Sequence, residues 1–270
     1  MLNIKLKEMI CGYVVAGEKK SVGKFKIDEI YCGDALELMK DIPDETIDLI
    51  VTDPPFAIDF KAKRSNYNRT QERVIEGYNE IPKEEYYNFT VKWMKDAFRI
   101  LKRTGSMYVF SGWTNLKDIL NAIDDVGFIT INHIIWKYQF GVFTKRRFVT
   151  SHYHILFVVK DEKAYKFNKI EHYPEDVWVI NREYWTGKMK TPTKLPVELV
   201  KKILLFSSDE GDIVFDPFLG SGTVAVVAKM LGRRYLGFEI VPEYYEFAKE
   251  RISKVQTSLY KWVNGDFRGE

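Results

Sequence analysis

Short apolar runs alternate with longer amphipathic stretches along most of the chain. Apolar runs of five to eight residues are typical of buried strands, and apolar residues at helical spacing are typical of helices that cover a sheet. The alternation predicts an α/β fold with a doubly wound, mostly parallel sheet. Strands are predicted at 26–32, 47–52, 106–110, 129–136, 154–160, 212–216 and 234–238. Helices are predicted at 82–102, 114–126, 193–206, 221–231 and 242–256.

One pair of predicted strands breaks the alternation. No helix-like stretch separates 129–136 from 154–160, so we expect an antiparallel hairpin at one edge of a seven-stranded sheet. Residues 1–24 carry several lysines and are predicted to form a flexible N-terminal arm. Residues 25–270 fit a single domain.

Four acidic residues stand at the carboxyl ends of predicted strands, namely Asp34, Asp53, Asp216 and Glu239. Parallel strands end at the same edge of a sheet, and ligands of such sheets bind beyond that edge. We therefore expect the four carboxylates to lie along one rim. For Glu239 the alternative is a charge at a helix start ahead of Pro242.

The tetrapeptide Asp-Pro-Pro-Phe at 53–56 is the most informative of these strand ends. The carboxylate of Asp53 and the carbonyl of Pro54 can each accept one N–H of an amino group on a flat ring. Pro54 and Pro55 fix the backbone direction and have no N–H to compete, and Phe56 offers a stacking face. The motif suits an exocyclic amine, and an ordinary turn after a strand is the alternative.

A glycine-rich turn follows the predicted strand at 212–216. Gly220 and Gly222 allow positive φ and a close approach of a ligand to the backbone. Thr223 is expected to cap a helix whose first N–H groups face the ligand. The turn has neither the three-glycine dinucleotide fingerprint nor the Gly-Lys-Ser/Thr ending of a phosphate loop. Glu239, at the end of the next predicted strand, suits a ribose diol.

Composition limits the class of protein without identifying it. The 270 residues are 46% hydrophobic, which is enough for a full core, and the net charge of +3 does not by itself indicate nucleic acid. Cys11 and Cys32 give no zinc pattern or disulfide framework, and the histidines at 133, 152 and 154 lack an acidic partner nearby, so no metal site is predicted. Without a long apolar run or a secretory pattern, the protein is predicted to be cytoplasmic and not membrane-bound.

Three motifs together resemble the S-adenosylmethionine-dependent amino-methyltransferases of DNA: Asp-Pro-Pro-Phe at 53–56, Phe-Leu-Gly-Ser-Gly-Thr at 218–223 and Gly-Phe-Glu at 237–239. The catalytic motif precedes the cofactor motif, which is the order of that family's permuted β group. The resemblance spans roughly residues 26–255. This chain departs from the family at 152–154, where it has His-Tyr-His and family members often carry His-Glu, so no role of that glutamate is transferred.

The resemblance implies a Rossmann-like methyltransferase fold and the cofactor S-adenosylmethionine. The segment 30–35 looks like the strand and acidic turn near the cofactor adenine, and 191–196 looks like the segment that contacts its methionine end. Asp53, Pro54, Pro55 and Phe56 are expected to be catalytic. The residues expected to bind the cofactor are Asp34, Ala35, Asp53, Thr193, Lys194, Asp216, Phe218, Gly220, Ser221, Gly222, Thr223, Glu239 and Ile240.

Three segments carry basic residues among aromatic or amide side chains: 57–73, 137–152 and 161–190. Basic side chains neutralise phosphates, and polar side chains in a groove specify sequence. A solvated loop is the alternative for each. We predict a DNA-facing loop at 57–81 and a small target-recognition insertion at 137–190. The residues predicted to contact DNA are Lys61, Lys63, Arg64, Arg69, Lys145, Arg146 and Arg147.

These features predict a methyltransferase that acts on an amino group of a base in a short duplex DNA site. The base is expected to flip out of the helix and to stack on Phe56. In the family, Asp at the first motif position goes more often with adenine N6 and Ser with cytosine N4, so Asp53 favours adenine. Cytosine N4 is the alternative, because both amines present the same two hydrogens. A homodimer and a cognate restriction endonuclease are further candidate partners.

Other classes of function stay open. The same fold could serve an RNA or small-molecule methyltransferase, although basic loops beside Phe56 argue against a small substrate. A non-catalytic nucleic-acid-binding subunit is a second class, and the intact Asp53 and Glu239 argue against it. An unrelated nucleotide-binding enzyme that uses 216–223 is a third class, and the lack of a phosphate-binding lysine argues against it.

Overall fold

The computed structural model describes residues 21–55, 81–141, 144–183 and 194–255. Its strands are β1 (Ser21–Val22), β2 (Phe25–Lys26), β3 (Glu29–Cys32), β4 (Ile47–Thr52), β5 (Leu101–Ser111), β6 (Ile129–Lys137), β7 (His152–Val159), β8 (Val177–Val179), β9 (Ile213–Asp216) and β10 (Arg234–Glu239). Its helices are α1 (Ala35–Leu38), α2 (Tyr86–Ile100), α3 (Leu116–Val126), α4 (Val197–Ser207), α5 (Thr223–Met230) and α6 (Pro242–Ser253).

Eight of these strands form one sheet in the order β3-β10-β9-β4-β5-β7-β6-β8, while β1 and β2 form a separate hairpin. Only β7 runs against its two neighbours in the large sheet. The predicted α/β class with a mostly parallel sheet is confirmed, and the predicted hairpin is formed by β6 and β7. The expected strand count of seven was too low for the described residues, because β8 adds a parallel strand outside the hairpin.

Three other predicted elements have different bounds. The helix predicted at 82–102 ends at Ile100, and the strand predicted at 106–110 begins at Leu101, so α2 leads directly into β5. The strand predicted at 26–32 is interrupted at Asp28, whose φ is 66°. The carboxylate of Asp28 accepts hydrogen bonds from Arg234 Nε (2.7 Å) and from the backbone N–H of Tyr235 (3.2 Å), which compensates for this unfavourable conformation.

Helices cover both faces of the large sheet. The first three helices pack on one face, where Trp93 and Met94 of α2 are fully buried. The last three pack on the other, called here the α4–α6 face. Helix α5 is buried on all sides at residues 224–228, because it lies between α4, α6 and the strands β9 and β10. Its Val and Ala side chains are small enough to allow this close packing.

The termini of helices follow local chemistry. Helix α3 ends where Gly127 adopts a φ of 95°, a conformation that glycine takes without steric cost. Asp34 accepts a hydrogen bond from the backbone N–H of Leu36 (2.9 Å) and thereby caps α1. Among the residues that the structure describes, no helix is long and apolar enough to cross a membrane.

Candidate active site

The carboxyl ends of β3, β10, β9 and β4 lie side by side at one edge of the sheet. They bring the four acidic residues to one rim in the spatial order Asp34, Glu239, Asp216 and Asp53, as the sequence predicted. Side chains alternate along each strand, and Val51 and Val214 belong to the core of the α4–α6 face. Asp53 and Asp216 stand two residues further on and therefore point to that same face.

Asp53 is the acid at the end of β4. Its Oδ1 atom is buried and has no hydrogen-bond partner among the described residues. Burial raises the pKa of Asp53 from 3.8 to about 7, and the nearby positive charge of Arg182 opposes this increase. A buried acceptor without a donor is costly, so this atom is suited to receive an N–H from a bound molecule.

Asp216, which is only 3% exposed, stands between Asp53 and Glu239 on the rim. Its Oδ1 accepts hydrogen bonds from Thr52 Oγ1 (3.0 Å) and from the backbone N–H of Phe218 (3.1 Å). Burial raises the pKa of Asp216 to about 8, the two hydrogen bonds oppose the increase, and Asp53 and Glu239 add to it. The residue thus links the end of β4 to the start of the glycine-rich turn.

Glu239 ends β10 and lies outside the first turn of α6, so the helix-start alternative does not hold. Its Oε2 accepts a hydrogen bond from the backbone N–H of Gly220 (2.7 Å) and its Oε1 from that of Val241 (2.8 Å). Burial raises the pKa of Glu239, and these backbone donors oppose the increase. Each carboxylate oxygen keeps a second lone pair, which suits the hydroxyl groups of a ribose.

The glycine-rich turn has the predicted backbone conformation, since φ is 53° at Gly220 and 77° at Gly222. A Cβ atom on Gly222 would lie 2.8 Å from the Cβ of Ala248 on α6, so only glycine fits between the turn and that helix. The expected cap by Thr223 was wrong: Gly222 occupies the cap position of α5, and no side chain caps the helix. Arg251 donates hydrogen bonds to the carbonyl of Ser221 and to Thr223 Oγ1.

A pocket joins the predicted catalytic and cofactor residues. It is lined by Asp53, Leu195, Asp216, Phe218, Leu219, Gly220, Ser221, Thr223 and Val224. Lys194, beside Leu195, forms an ion pair with Glu183 (2.5 Å). The carboxylates of Asp53 and Asp216 line this pocket together with Gly220, which fits the cationic sulfonium of S-adenosylmethionine. Glu239, which is hydrogen-bonded to Gly220, offers acceptors to the ribose.

Six of the described residues predicted to bind the cofactor are not in this pocket lining: Asp34, Ala35, Lys194, Gly222, Glu239 and Ile240. Asp34 and Ala35 follow β3 at the edge of the sheet. Strand β3 pairs with β10, and Cys32 at its end is opposite Glu239. Ile240 follows Glu239 and is half exposed. The positions of Asp34, Ala35 and Ile240 continue the rim beyond Glu239, which is where the resemblance expects the cofactor adenine. Outside the described residues lie Phe56, Lys61, Lys63, Arg64, Arg69 and Thr193.

Tyr138, Tyr153 and Arg182 were not predicted to belong to the active site. The guanidinium carbon of Arg182 lies 3.7 Å from the ring centroid of Tyr138 and 5.5 Å from that of Tyr153. Burial raises the pKa of Tyr153, the negative charge of Asp53 adds to the increase, and Arg182 opposes it. These electrostatic effects place Tyr153 and Arg182 near Asp53, and Tyr138 packs against both of them. The sequence signals for them were the aromatic residues at the ends of β6 and β7 and the basic segment 161–190.

The segment between β6 and β7 leaves the sheet at the same rim, because β6 runs parallel to β5. The backbone N–H of Tyr138 donates to the carbonyl of Ser151 (3.0 Å) and closes the base of this loop. Lys145, Arg146 and Arg147 are exposed on it, and the ring of Phe148 is 99% exposed. The loop therefore presents positive charge and an aromatic ring beside the candidate site.

The histidines of β6 and β7 pair with each other. His133 Nε2 and His154 Nδ1 lie 2.8 Å apart, and burial lowers the pKa of His154 to about 4, with His133 and His152 adding to the decrease. Within the described ranges, no group of three or more His, Cys, Asp or Glu side chains could hold a metal ion.

Comparisons with known proteins agree with this geometry. A family model described as a DNA methylase of the N6/N4 type matches residues 47–250. The Type II methyltransferase M.HpaI of Haemophilus parainfluenzae is 31% identical over 242 residues, which are 83% of this chain and 73% of that protein. The crystal structure of an M1.HpyAVI–SAM complex superimposes with a TM-score of 0.62 at 26% identity, covering 83% of this chain and 98% of that chain. The cytosine-N4-specific PvuII DNA methyltransferase has a TM-score of 0.66 over 85% of this chain and 88% of its own, and its 22% identity shows a shared fold only.

Proposed function

Since the chain belongs to the N6/N4 family of DNA methylases and uses S-adenosylmethionine, we propose that it methylates N6 of adenine within a short site in duplex DNA. The observation that carries the proposal is the buried, unpartnered Oδ1 of Asp53 beside the pocket formed by the glycine-rich turn. An acceptor in that position matches an exocyclic amine next to a methyl donor.

When bound, S-adenosylmethionine supplies an electrophilic methyl group on a positively charged sulfur. Glu239 is proposed to accept hydrogen bonds from its ribose, because both carboxylate oxygens are already fixed by backbone donors. The backbone of the turn at 220–223 and the side of the pocket at Leu195 are proposed to hold the methionine part. Asp34, Ala35 and Ile240 extend the binding surface along the rim toward the adenine, and Phe218, Thr193 and Lys194 complete the proposed cofactor set.

The lone pair of an exocyclic amine is delocalised into the ring, so the amine is a poor nucleophile. Asp53 and the carbonyl of Pro54 are proposed to accept its two hydrogens, which favours a tetrahedral nitrogen and frees the lone pair. Pro55 and Phe56 are proposed to shape the pocket for a flipped base. Alignment and stabilisation of the positive charge that grows on nitrogen are the main contributions expected from these residues.

Adenine is preferred to cytosine because Asp53, rather than Ser, opens the motif. The basic segment at 145–147 and the loop at 57–81 are proposed to contact the DNA backbone, with Lys61, Lys63, Arg64 and Arg69 in the second of these. The segment 137–190 is proposed to recognise the target. A homodimer, a cognate restriction endonuclease and a cytoplasmic location remain predictions, and light scattering of the purified protein tests the first of them.

The decisive experiment is transfer of labelled methyl from S-adenosylmethionine to unmethylated duplex DNA of mixed sequence, followed by mass spectrometry of the nucleosides. N6-methyladenine is the expected product. N4-methylcytosine would keep the role of Asp53 and overturn the choice of base. Absence of both products, with cofactor binding intact by calorimetry, would contradict the proposed substrate.

A further inference from the structure

A gap opens beside Asp53 on the α4–α6 face of the sheet. Strand β5 separates β4 from β7, and its register pairs Val109 with Thr52 and Ser111 with His154. Continued by one residue, this register places Gly112 next to Tyr153. The same register places Phe110 next to Asp53, so Gly112 lies two residues further along β5 than the position opposite Asp53. Among the described residues, a Cβ atom on Gly112 would meet only Thr114 Oγ1, at 3.9 Å, so the space on the diagonal from Asp53 to Tyr153 is open at Gly112.

The far side of this gap is a wall of aromatic rings with one cation. The rings of Tyr138 and Tyr153 lie 6.1 Å apart, and the guanidinium of Arg182 covers the ring of Tyr138 at 3.7 Å. The backbone of Arg182 is also fixed, because its N–H donates to Gln139 Oε1 (2.7 Å) and its carbonyl accepts from Gln139 Nε2 (3.3 Å). Arg182 is therefore held in place by the two residues that directly follow β6, independently of any bound molecule.

Among the described residues, Arg182 supplies the positive charge that affects the pKa of Asp53. It lowers the pKa of Asp53 against the effect of burial. Asp53 in turn acts on Tyr153 across the gap and on Asp216 of the neighbouring strand, and its negative charge raises the pKa of both. Arg182 is thus the favourable partner in a site that otherwise disfavours a carboxylate.

We propose that Arg182 is a positioning residue for methyl transfer, which keeps the Asp53 carboxylate charged and directed toward the amine that enters the gap. This inference rests on the proposed role of Asp53 as the acceptor of an amino hydrogen. Only the ionised carboxyl group accepts with both oxygens, whereas the protonated form offers a donor to the lone pair that must attack. The stack on Tyr138 holds the cation beside the gap without filling it.

The test is the pH dependence of single-turnover methyl transfer to unmethylated duplex DNA of mixed sequence, measured for the wild type, R182Q and R182K. In R182Q the acidic limb of the profile is expected to move to higher pH by about one unit or more, so that activity recovers in alkaline buffer. R182K retains the charge and is expected to move the limb less. The control is R103Q, which removes an arginine that is paired with Asp161 at the opposite end of the sheet.

An unmoved limb in R182Q would overturn the inference, and a weaker affinity for DNA with the same limb would make Arg182 a phosphate contact instead. If R182Q is inactive at every pH, carboxyl-carbon NMR of aspartate-labelled protein, assigned with D53N, measures the ionisation of Asp53 without turnover. If Asp53 titrates at the same pH in R182Q as in the wild type, the inference is also overturned. If the wild type itself transfers no methyl group, the proposed function is refuted. This result is distinct from an unmoved limb or an unchanged titration in R182Q, which refute only the role of Arg182.

Discussion

Asp53 combines the two properties that make a side chain a sensitive part of a site, since its Oδ1 atom is buried and lacks a donor among the described residues. A surface aspartate at the end of a strand would satisfy its oxygens with water. Here the ends of β4 and β9 enclose the carboxyl group, and the proposed substrate supplies the missing N–H. The chemistry of the site is therefore concentrated on one atom.

Replacement of Asp53 by Asn or Ala is expected to lower the rate of methyl transfer by about 10²–10³-fold or more, because the negative charge that stabilises the positive charge growing on nitrogen is lost. Binding of S-adenosylmethionine, measured by calorimetry, is expected to change little. Asn is the matched replacement, since it keeps the shape and removes the charge. Near-full activity of D53A would refute the proposed mechanism.

Asp216 is expected to make the stability of the protein depend on pH. Its pKa is about 8 in the folded chain and 3.8 ordinarily, so the folded state holds the proton more tightly. This contribution to stability is complete below about pH 4 and is lost as the pH rises through 8. In urea unfolding, the free energy of the wild type is expected to fall relative to D216N across this window. The control is D161N, because the pKa of Asp161 is lowered in the folded protein. The difference in the free energy of unfolding between the wild type and D161N is expected to stay constant from pH 5 to 8. If the difference between the wild type and D216N is constant as well, the pKa of Asp216 is not raised.

At the scale of elements, the glycine-rich turn and α6 form one unit. Gly222 touches Ala248, and Arg251 donates to the carbonyl of Ser221. The turn therefore owes its position to a helix that follows it in the chain. Substitutions in α6 that leave the pocket lining untouched should still alter cofactor binding.

G222A is expected to lower the melting temperature and to weaken the binding of S-adenosylmethionine. The left-handed backbone costs about 1–2 kcal/mol with any Cβ, and the contact with Ala248 adds to this. G127A is the matched control, because Gly127 also has positive φ but no atom of the described residues lies within 4 Å of an added Cβ. The double variant G222A/A248G is expected to recover the part of the lost stability and affinity that is due to the contact between residues 222 and 248. Equal effects of G222A and G127A on cofactor affinity would exclude this role of the turn.

The predictability of elements from sequence depended on their length. Strands such as β4 and β9 were recognised because apolar runs ended in an acidic residue, and this also predicted the rim of Asp53, Asp216 and Glu239. The three residues of β8 are too few to show a period, and Trp178 becomes buried only once β6 is in place. Arg182 was missed for the same reason, since its position beside Asp53 depends on pairing between segments far apart in the chain.

At the scale of the whole molecule, positive charge is concentrated on the loop between β6 and β7, although the net charge is only +3. The site and this loop share one edge of the sheet. A duplex that places a base at Asp53 would therefore pass close to residues 145–147. The distribution of charge, rather than its sum, is what supports binding of DNA.

The triple variant K145Q/R146Q/R147Q is expected to bind duplex DNA more weakly, with a smaller dependence on salt. Each lost phosphate contact lowers the slope of log K against log salt by about 0.9. The control K40Q/R103Q/K254Q removes the same charge from exposed ion pairs outside this loop. Fluorescence anisotropy over a salt series distinguishes the two. Equal slopes for both triple variants would show that residues 145–147 do not contact phosphate.

The strand order has a consequence for how the chain is made. Strand β3 has β10 as its neighbour, and β4 meets β9, so two early strands depend on the last two. The hydrogen bond between Thr52 and Asp216 alone spans 164 positions. During synthesis, β3 and one edge of β4 therefore stay unpaired until β9 and β10 leave the ribosome, a topology that folds slowly and exposes strand edges. Acquisition of the cofactor pocket and completion of the sheet become one late event, and a nascent chain that stalls before β9 is an aggregation hazard rather than a partly active enzyme.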